Sequence, residues 1–115
     1  MRREVLLLEE MVDAAMQVMD LVQGHDAESL RADRQRRDAL LWNFMVLGEA
    51  ASHLPPSFKA EHRELDWARP TQLRNRIVHG YWSVDLDILV DTAELDLPGY
   101  VQQLRDVLAK RRLSQ

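Results

Sequence analysis

The residues best suited to chemistry lie in one short stretch, Leu73-Arg74-Asn75-Arg76-Ile77-Val78-His79-Gly80-Tyr81-Trp82. It places two guanidiniums, an amide, an imidazole and a phenol close together in the chain. An imidazole can donate or accept a proton near neutral pH. A guanidinium can neutralise a phosphate and the charge of its transition state. Together these groups could cleave an RNA backbone without a metal, with the 2′-OH of the substrate as the nucleophile.

The spacing of this stretch sets a geometric condition on that chemistry. Arg74 and His79 are five positions apart, which is about 140° around a regular helix, so they would not share a face. We expect the helix to end or loosen beside His79, because Gly80 favours a helix end, and this would bring the two side chains together. Asn75 lies one helical turn before His79 and could orient it or a phosphate. The alternative for these residues is a solvent-exposed or capping role at a helix end.

Composition and charge limit the class of protein. The 115 residues predict one domain over 1–115, and 46% hydrophobic with 30% charged residues is ordinary globular composition. The net charge of −4 argues against a wide, non-specific nucleic-acid surface, but it allows a small cleft with a few local cations. The chain has no cysteine, so disulfides and cysteine-built zinc sites are excluded.

Two further kinds of site are not expected. The apolar runs are four or five residues long, whereas a membrane-spanning helix needs about 20, so no membrane span is predicted. The histidines and carboxylates do not follow a metal-ligand spacing, so no metal is predicted.

The hydrophobic spacing predicts an all-α, up-and-down bundle of four to five helices. Apolar seams repeat at helical spacing in two long segments: Val5, Leu8, Val12, Ala15, Met19 and Val22, then Leu40, Phe44, Leu47, Ala51 and Leu54. Gly24 and Pro55-Pro56 end these helices, and Asp26 caps a short helix between them. Further helices are predicted from 68–70 to Gly80, after Asp85, and around Val101, Leu104 and Leu108. Asp96-Leu97-Pro98 is predicted to break or kink the chain between the last two.

The chemical stretch resembles the Arg-x-x-x-x-His-x-Tyr signature of HepT-like toxins, in the HEPN superfamily of ribonucleases. Here the matching residues are Arg74, His79 and Tyr81. The resemblance covers roughly residues 5–108 in the same order and spacing. It includes Arg37-Asp38-Ala39 with Asn43, Gly48-Glu49-Ala50-Ala51, Leu65-Asp66-Trp67, Val84-Asp85 and Asp96-Leu97-Pro98.

The resemblance implies a HEPN bundle that acts as a homodimer in the prokaryotic cytoplasm, with its Arg and His in a cleft near the dimer interface. It implies a metal-independent endoribonuclease that needs no cofactor and leaves a cyclic phosphate on the RNA. Arg74 would stabilise the scissile phosphate and His79 would transfer protons. The supporting residues would be Asn75, Arg76, Glu49 and Asn43.

The resemblance also implies a partner, the minimal nucleotidyltransferase antitoxin MntA of type VII toxin-antitoxin systems. That partner would use ATP to transfer AMP groups to the tyrosine of the signature, here Tyr81. A bulky anion two residues from His79 would block the cleft and cancel its positive charge.

Alternatives remain for the whole chain and for single residues. The chain could be a catalytically silent HEPN dimer that binds a nucleotidyltransferase partner or a nucleotide; a DNA-binding regulator is disfavoured, because there is no basic recognition helix. Glu49 follows Gly48, which allows close helix approach, and it could orient Arg74, line the cleft or be structural. Arg37 is expected to be partly buried, with an acidic partner. The tryptophans are assigned to packing or to a dimer interface: Trp42, Trp67 and Trp82.

The segment before the signature departs from the pattern of the family. Many relatives have an apolar pair and Gly-Met there, whereas this chain has Ala68-Arg69-Pro70-Thr71-Gln72-Leu73. We expect Pro70 to shift the start of the helix and Arg69 to add a cation to the cleft. Val90 also stands where relatives often have Trp.

Overall fold

The structure, a computed structural model, describes residues 2–114 apart from the side chain of Trp82, and those residues contain seven α-helices and no strand. In chain order the helices are α1 (Arg2–Val22), α2 (Ala27–Ala32), α3 (Arg34–His53), α4 (Pro56–Glu61), α5 (Ala68–Gly80), α6 (Leu86–Asp91) and α7 (Leu97–Leu113). The four longer helices, α1, α3, α5 and α7, form a bundle, and the short ones lie in its connections. The predicted all-α fold is confirmed.

Neighbouring helices of the bundle run antiparallel. Arg36, near the start of α3, donates a hydrogen bond of 3.0 Å to the carbonyl of Leu21 at the end of α1. Leu7, near the start of α1, lines a groove with His53 at the end of α3. The last turn of α7 reaches back to Glu9 in α1 through an ion pair of 2.6 Å. These contacts give the up-and-down order that the sequence predicted.

The core follows the predicted seams, with one shift. In α3 every predicted seam residue is at most 2% exposed: Leu40, Phe44, Leu47, Ala51 and Leu54. In α1 the predicted Val12 and Met19 are only half-buried, whereas Met11, Ala14 and Val18 are buried. The buried stripe of α1 is wider than one seam because this helix contacts both α3 and α7.

The predicted break at Asp96-Leu97-Pro98 takes a different form. A five-residue π-helical turn over 92–96 joins α6 directly to α7, and the N–H of Leu97 bonds to the carbonyl of Thr92. Pro98 has no N–H and its ring would clash with the carbonyl four residues earlier in an α-helix. The wider turn just before Pro98 relieves that clash, so the chain stays helical. Within residues 2–114 no helix is both long and apolar enough to cross a bilayer.

Candidate active site

Helix α5 lies against α3 because Gly48 has no side chain. A Cβ at this position would lie 2.3 Å from the carbonyl oxygen of Pro70 and 2.4 Å from the Cβ of Arg74. Any larger residue would push the two helices apart, because both neighbours belong to packed helix. The close approach predicted at Gly48 is therefore confirmed, and it brings the base of Arg74 beside Glu49.

The guanidinium of Arg74 is held between α3 and its own helix. Its Nε donates to Glu49 Oε2 at 2.8 Å, and its Nη2 lies 2.7 Å from the same oxygen. Its Nη1 donates to Asn75 Oδ1. These contacts within residues 2–114 use three of the five N–H groups, which leaves two that can reach a ligand. Glu49 therefore orients Arg74, one of the roles expected from the sequence.

Glu49 holds a second residue with its other oxygen. Its Oε1 lies 2.8 Å from Nε2 of His53, the last residue of α3. The hydrogen bonds from His53 and then from Arg74 hold the pKa of Glu49 below its ordinary value of 4.5. The carboxylate thus stays ionised at neutral pH and remains a partner for both. The sequence reasoning missed His53, although its four-residue spacing from Glu49 was a usable signal.

His79 lies at the opposite end of the stretch and is exposed. The predicted helix end at Gly80 is confirmed, and a 3-10 turn follows at Tyr81–Ser83, but α5 stays helical through His79, so the expected convergence of Arg74 and His79 does not occur within one chain. The side chains of Arg74 and His79 therefore leave a regular helix about 140° apart. Among the described residues no hydrogen bond joins these two side chains. A single chain does not bring the guanidinium and the imidazole face to face.

The predicted supporting residues differ in their exposure and in their hydrogen bonds. Asn75 is exposed and, one helical turn from His79, lies between it and Arg74. Arg76 is exposed on the same helix. Asn43 bonds to the carbonyl of Ala39 in its own helix at 2.8 Å, so its hydrogen bond is a local one.

Arg69, in the segment that departs from the family pattern, is directed away from Arg74. Arg69 pairs with Asp96 at 3.0 Å and bonds to Thr92 at 3.3 Å, on the side of α5 that faces α7. The expectation that Arg69 adds a cation to the cleft is therefore wrong. Pro70 lies in the first turn of α5, which begins at Ala68, at the edge of the predicted start.

Tyr81 is also held by α3, through a residue near the start of that helix. It is 39% exposed, and its hydroxyl donates to Asp38 Oδ1. Burial, and then the bond to Asp38, raise the pKa of Tyr81, while the same bond holds the pKa of Asp38 below its ordinary value. Asp38 and Glu49 are eleven residues apart, so Tyr81 and Arg74 are held about 16 Å apart along α3. The sequence reasoning considered Asp38, with Asp33 and Glu49, only as an acidic partner of Arg37, and Nε of Arg37 does lie 3.7 Å from Asp38. The bond to Tyr81 was missed because the two residues are 43 positions apart.

An apolar surface borders the Arg74–Glu49 pair. Trp42 of α3 is 61% exposed, and beside it a groove of about 360 Å³ runs between α1 and α3. Glu49 and His53 line one end of this groove. Trp67 is instead buried, with its indole N–H bonded to the carbonyl of His62 at 2.9 Å, so its predicted packing role is confirmed. The side chain of Trp82 lies outside the described residues.

What one chain can supply is a positioned guanidinium, an exposed imidazole and a carboxylate-bound phenol. Over residues 2–114 no group of three histidines, aspartates or glutamates is placed to hold a metal ion. A guanidinium can neutralise an anionic substrate and an exposed imidazole can exchange a proton with it, so the arrangement is compatible with an anion that approaches α5 from solvent.

Comparison with known proteins finds relatives that match most of the chain. The family described as "Ribonuclease HepT-like" matches residues 11–107. The chain is 27% identical to "Probable ribonuclease HepT" of Thermococcus cleftensis over 101 residues, 85% of this chain and 92% of that protein. It is 24% identical to a protein named "Putative RNase" from Caldanaerobacter subterraneus subsp. tengcongensis over 105 residues, 91% of this chain and 94% of that one. No solved structure matches the chain.

Proposed function

The chain belongs to the HepT-like ribonuclease family, and we propose that it is a metal-independent endoribonuclease, the toxin of a type VII toxin-antitoxin pair in a prokaryotic cytoplasm. The observation that carries this proposal is Arg74 fixed by Glu49 on the same helix as the exposed His79. The family relationship supplies the reaction class, and these residues supply the chemistry it needs.

The reaction is an internal transfer within the RNA. The 2′-oxygen attacks the adjacent phosphorus, the bond from phosphorus to the 5′-oxygen breaks, and a cyclic phosphate and a 5′-hydroxyl remain. His79 takes or gives the proton at these oxygens, and Arg74 neutralises the charge that builds on the phosphate. Asn75 lies between the two groups and can bond to the same phosphate.

A second copy of the chain completes the site. Arg74 and His79 diverge on α5, so we place the reacting phosphate between Arg74 of one protomer and His79 of the other. The exposed Trp42 and its groove support this, because an isologous dimer buries such a patch on both copies. Two sets of Arg74 and Arg76 would also give one local positive cleft in a protein whose net charge is −4.

Control of the toxin is assigned to Tyr81. We place the AMP groups that a minimal nucleotidyltransferase antitoxin transfers from ATP on the Tyr81 hydroxyl, which is partly exposed and two residues from His79. Their negative charge would oppose binding of RNA phosphates.

The direct test is cleavage of RNA by the chain purified without antitoxin, in the presence of EDTA. We expect products with cyclic phosphate ends from the wild type and none from His79→Ala. His25→Ala, which removes an imidazole from the connection between α1 and α2, is the matched control and should cleave at the wild-type rate. Equal cleavage by His79→Ala and wild type would contradict the proposal.

The second candidate is the catalytically silent module. It is favoured by one observation, that Glu49 already neutralises Arg74. This reading predicts that expression of the wild type slows growth no more than His79→Ala, and that the pure protein cuts no RNA but still binds its nucleotidyltransferase.

A further inference from the structure

Tyr81 shares one carboxylate with two arginines. Its hydroxyl donates to Asp38, whose oxygens lie 3.5 Å from Nε of Arg34 and 3.7 Å from Nε of Arg37. Arg34 is 84% exposed at the side chain, so its guanidinium is open to solvent. One negative charge therefore faces two positive charges around the phenol, and the balance favours an anion.

A small cavity opens beside this cluster. Its volume is about 290 Å³, and its lining residues are Arg31, Arg37, Leu41, Tyr81, Val84 and Leu86. Nε of Arg37 is buried at its edge and makes no hydrogen bond within residues 2–114. Buried donors without an acceptor are uncommon, so this nitrogen indicates that an acceptor is missing from the isolated chain. Arg31, which lines the cavity, lies 3.8 Å from Asp87.

We propose that Asp38 is the proton acceptor for nucleotidyl transfer to Tyr81, and that Arg34 and Arg37 hold the transferred phosphate. This inference rests on the proposed function, which makes Tyr81 the modified residue. Tyr81 Oη forms a bond to the α-phosphorus of a nucleoside triphosphate bound by the transferase, and the bond from that phosphorus to the pyrophosphate oxygen breaks. Pyrophosphate leaves with the electron pair, and the phenolic proton passes to Asp38 and then to water.

The state of the phenol explains why an acceptor is needed. Because burial and Asp38 raise its pKa, Tyr81 is not a phenolate at neutral pH, and its proton leaves only as the new bond forms. A positioned carboxylate can accept the proton of a hydroxyl that attacks phosphorus, as the aspartate of the protein kinase catalytic loop does. Asp38 also fixes the direction of the hydroxyl, since the hydrogen bond ties it to α3.

The experiment compares transfer rates by intact-protein mass, with the purified chain, its nucleotidyltransferase and ATP, from about pH 6 to about pH 9. We expect Asp38→Asn to slow addition at least about tenfold near pH 7, the low end of what general bases contribute. The difference in transfer rate between Asp38→Asn and the wild type should narrow as the pH rises, because the phenol then ionises in solution and no longer needs an acceptor for its proton. Asp13→Asn, on α1, is the matched control and should be modified at the wild-type rate.

A second pair of variants tests the arginines. Arg37→Gln should lower the rate several-fold at saturating ATP, whereas Arg63→Gln, an exposed arginine on the connector, should leave it unchanged. Circular dichroism and the unfolding midpoint of each variant show whether it is folded.

The outcomes separate this inference from the function on which it rests. If Tyr81→Phe still gains adenylate mass, or the wild type gains none, the assignment of Tyr81 is wrong and the inference falls with it. If Tyr81→Phe is unmodified but Asp38→Asn reacts as fast as wild type, Asp38 is not the acceptor. A uniform slowing of Asp38→Asn with no change in pH profile would also overturn the inference, since it would mean only a structural role.

Discussion

The middle and the end of α5 are built in opposite ways. In the middle Arg74 is half-buried and fixed by Glu49, which is possible because Gly48 lets the helices approach closely. At the end His79 is exposed on the last helical turn, and the described residues provide it with no hydrogen bond. Under the proposed function, one protomer fixes the group that stabilises charge and leaves the group that transfers protons facing outward, where a second copy could use it.

The largest effects are expected when each of the two side chains is removed in turn. We expect Arg74→Ala and His79→Ala each to lower RNA cleavage by a factor of about 10² to 10⁴, because one loses transition-state charge stabilisation and the other loses proton transfer. Only Arg74→Ala should also lower the unfolding midpoint, since His79→Ala removes an exposed side chain and should change stability by less than about 0.5 kcal/mol. A His79→Ala variant that unfolds more readily than Arg74→Ala would contradict the contrast.

The position of Arg74 can also be disturbed by a change in α3. Gly48→Ala places a methyl group against Pro70 and Arg74, so we expect a loss of about 1–3 kcal/mol in unfolding free energy together with reduced cleavage. Gly99→Ala in α7 is the matched control, because a Cβ there meets nothing within 4 Å. Urea unfolding of both variants gives the comparison, and equal stabilities would show that the close approach is not needed.

A smaller effect is expected when Arg74 keeps its place but loses its orienting charge. Glu49→Gln should lower the catalytic rate about tenfold with little change in KM, because a misdirected guanidinium still attracts RNA. Glu28→Gln in α2 is the control for loss of one carboxylate charge. Faster cleavage by Glu49→Gln would mean instead that Glu49 restrains the site by neutralising Arg74.

The smallest expected effect is the pH dependence of the Glu49 contacts. The folded-state pKa of Glu49 is lower than its ordinary value of 4.5, so its contribution to stability is present above that value and is lost as the pH falls through the folded pKa. The difference in thermal midpoint between wild type and Glu49→Gln should be constant from about pH 8 to about pH 5 and shrink below that. A difference that disappears as the pH rises through this range would assign the effect to His53 rather than to Arg74.

Features that depend on residue spacing within one helix could be predicted from the sequence. The seam of α3 and the cap at Asp26 depend on local spacing, and the structure has them as predicted. The approach at Gly48 was also readable, because a glycine inside an apolar seam indicates that another backbone comes near. The pairing of Glu49 with Arg74 was one of the alternatives that the sequence left open.

Features that depend on packing between distant elements were not readable. The bond from Tyr81 to Asp38 joins positions 43 apart, and neither residue carries a signal for the other. The π-helical turn before Pro98 replaced a break that proline statistics favour. This outcome reflects tertiary packing, which can hold a helix together where its sequence weakens it.

The composite site, in which Arg74 and His79 of different protomers act on one phosphate, is tested by mixing two inactive variants. Arg74→Ala and His79→Ala, refolded together, form mixed dimers in which one of the two composite sites keeps both residues. We expect the mixture to recover about a quarter of the wild-type cleavage rate, since about half of the dimers are mixed and each has one intact site. If mixed dimers form, as capture through a tag on one variant would establish, but cleavage stays at the level of the separate variants, the composite site is contradicted.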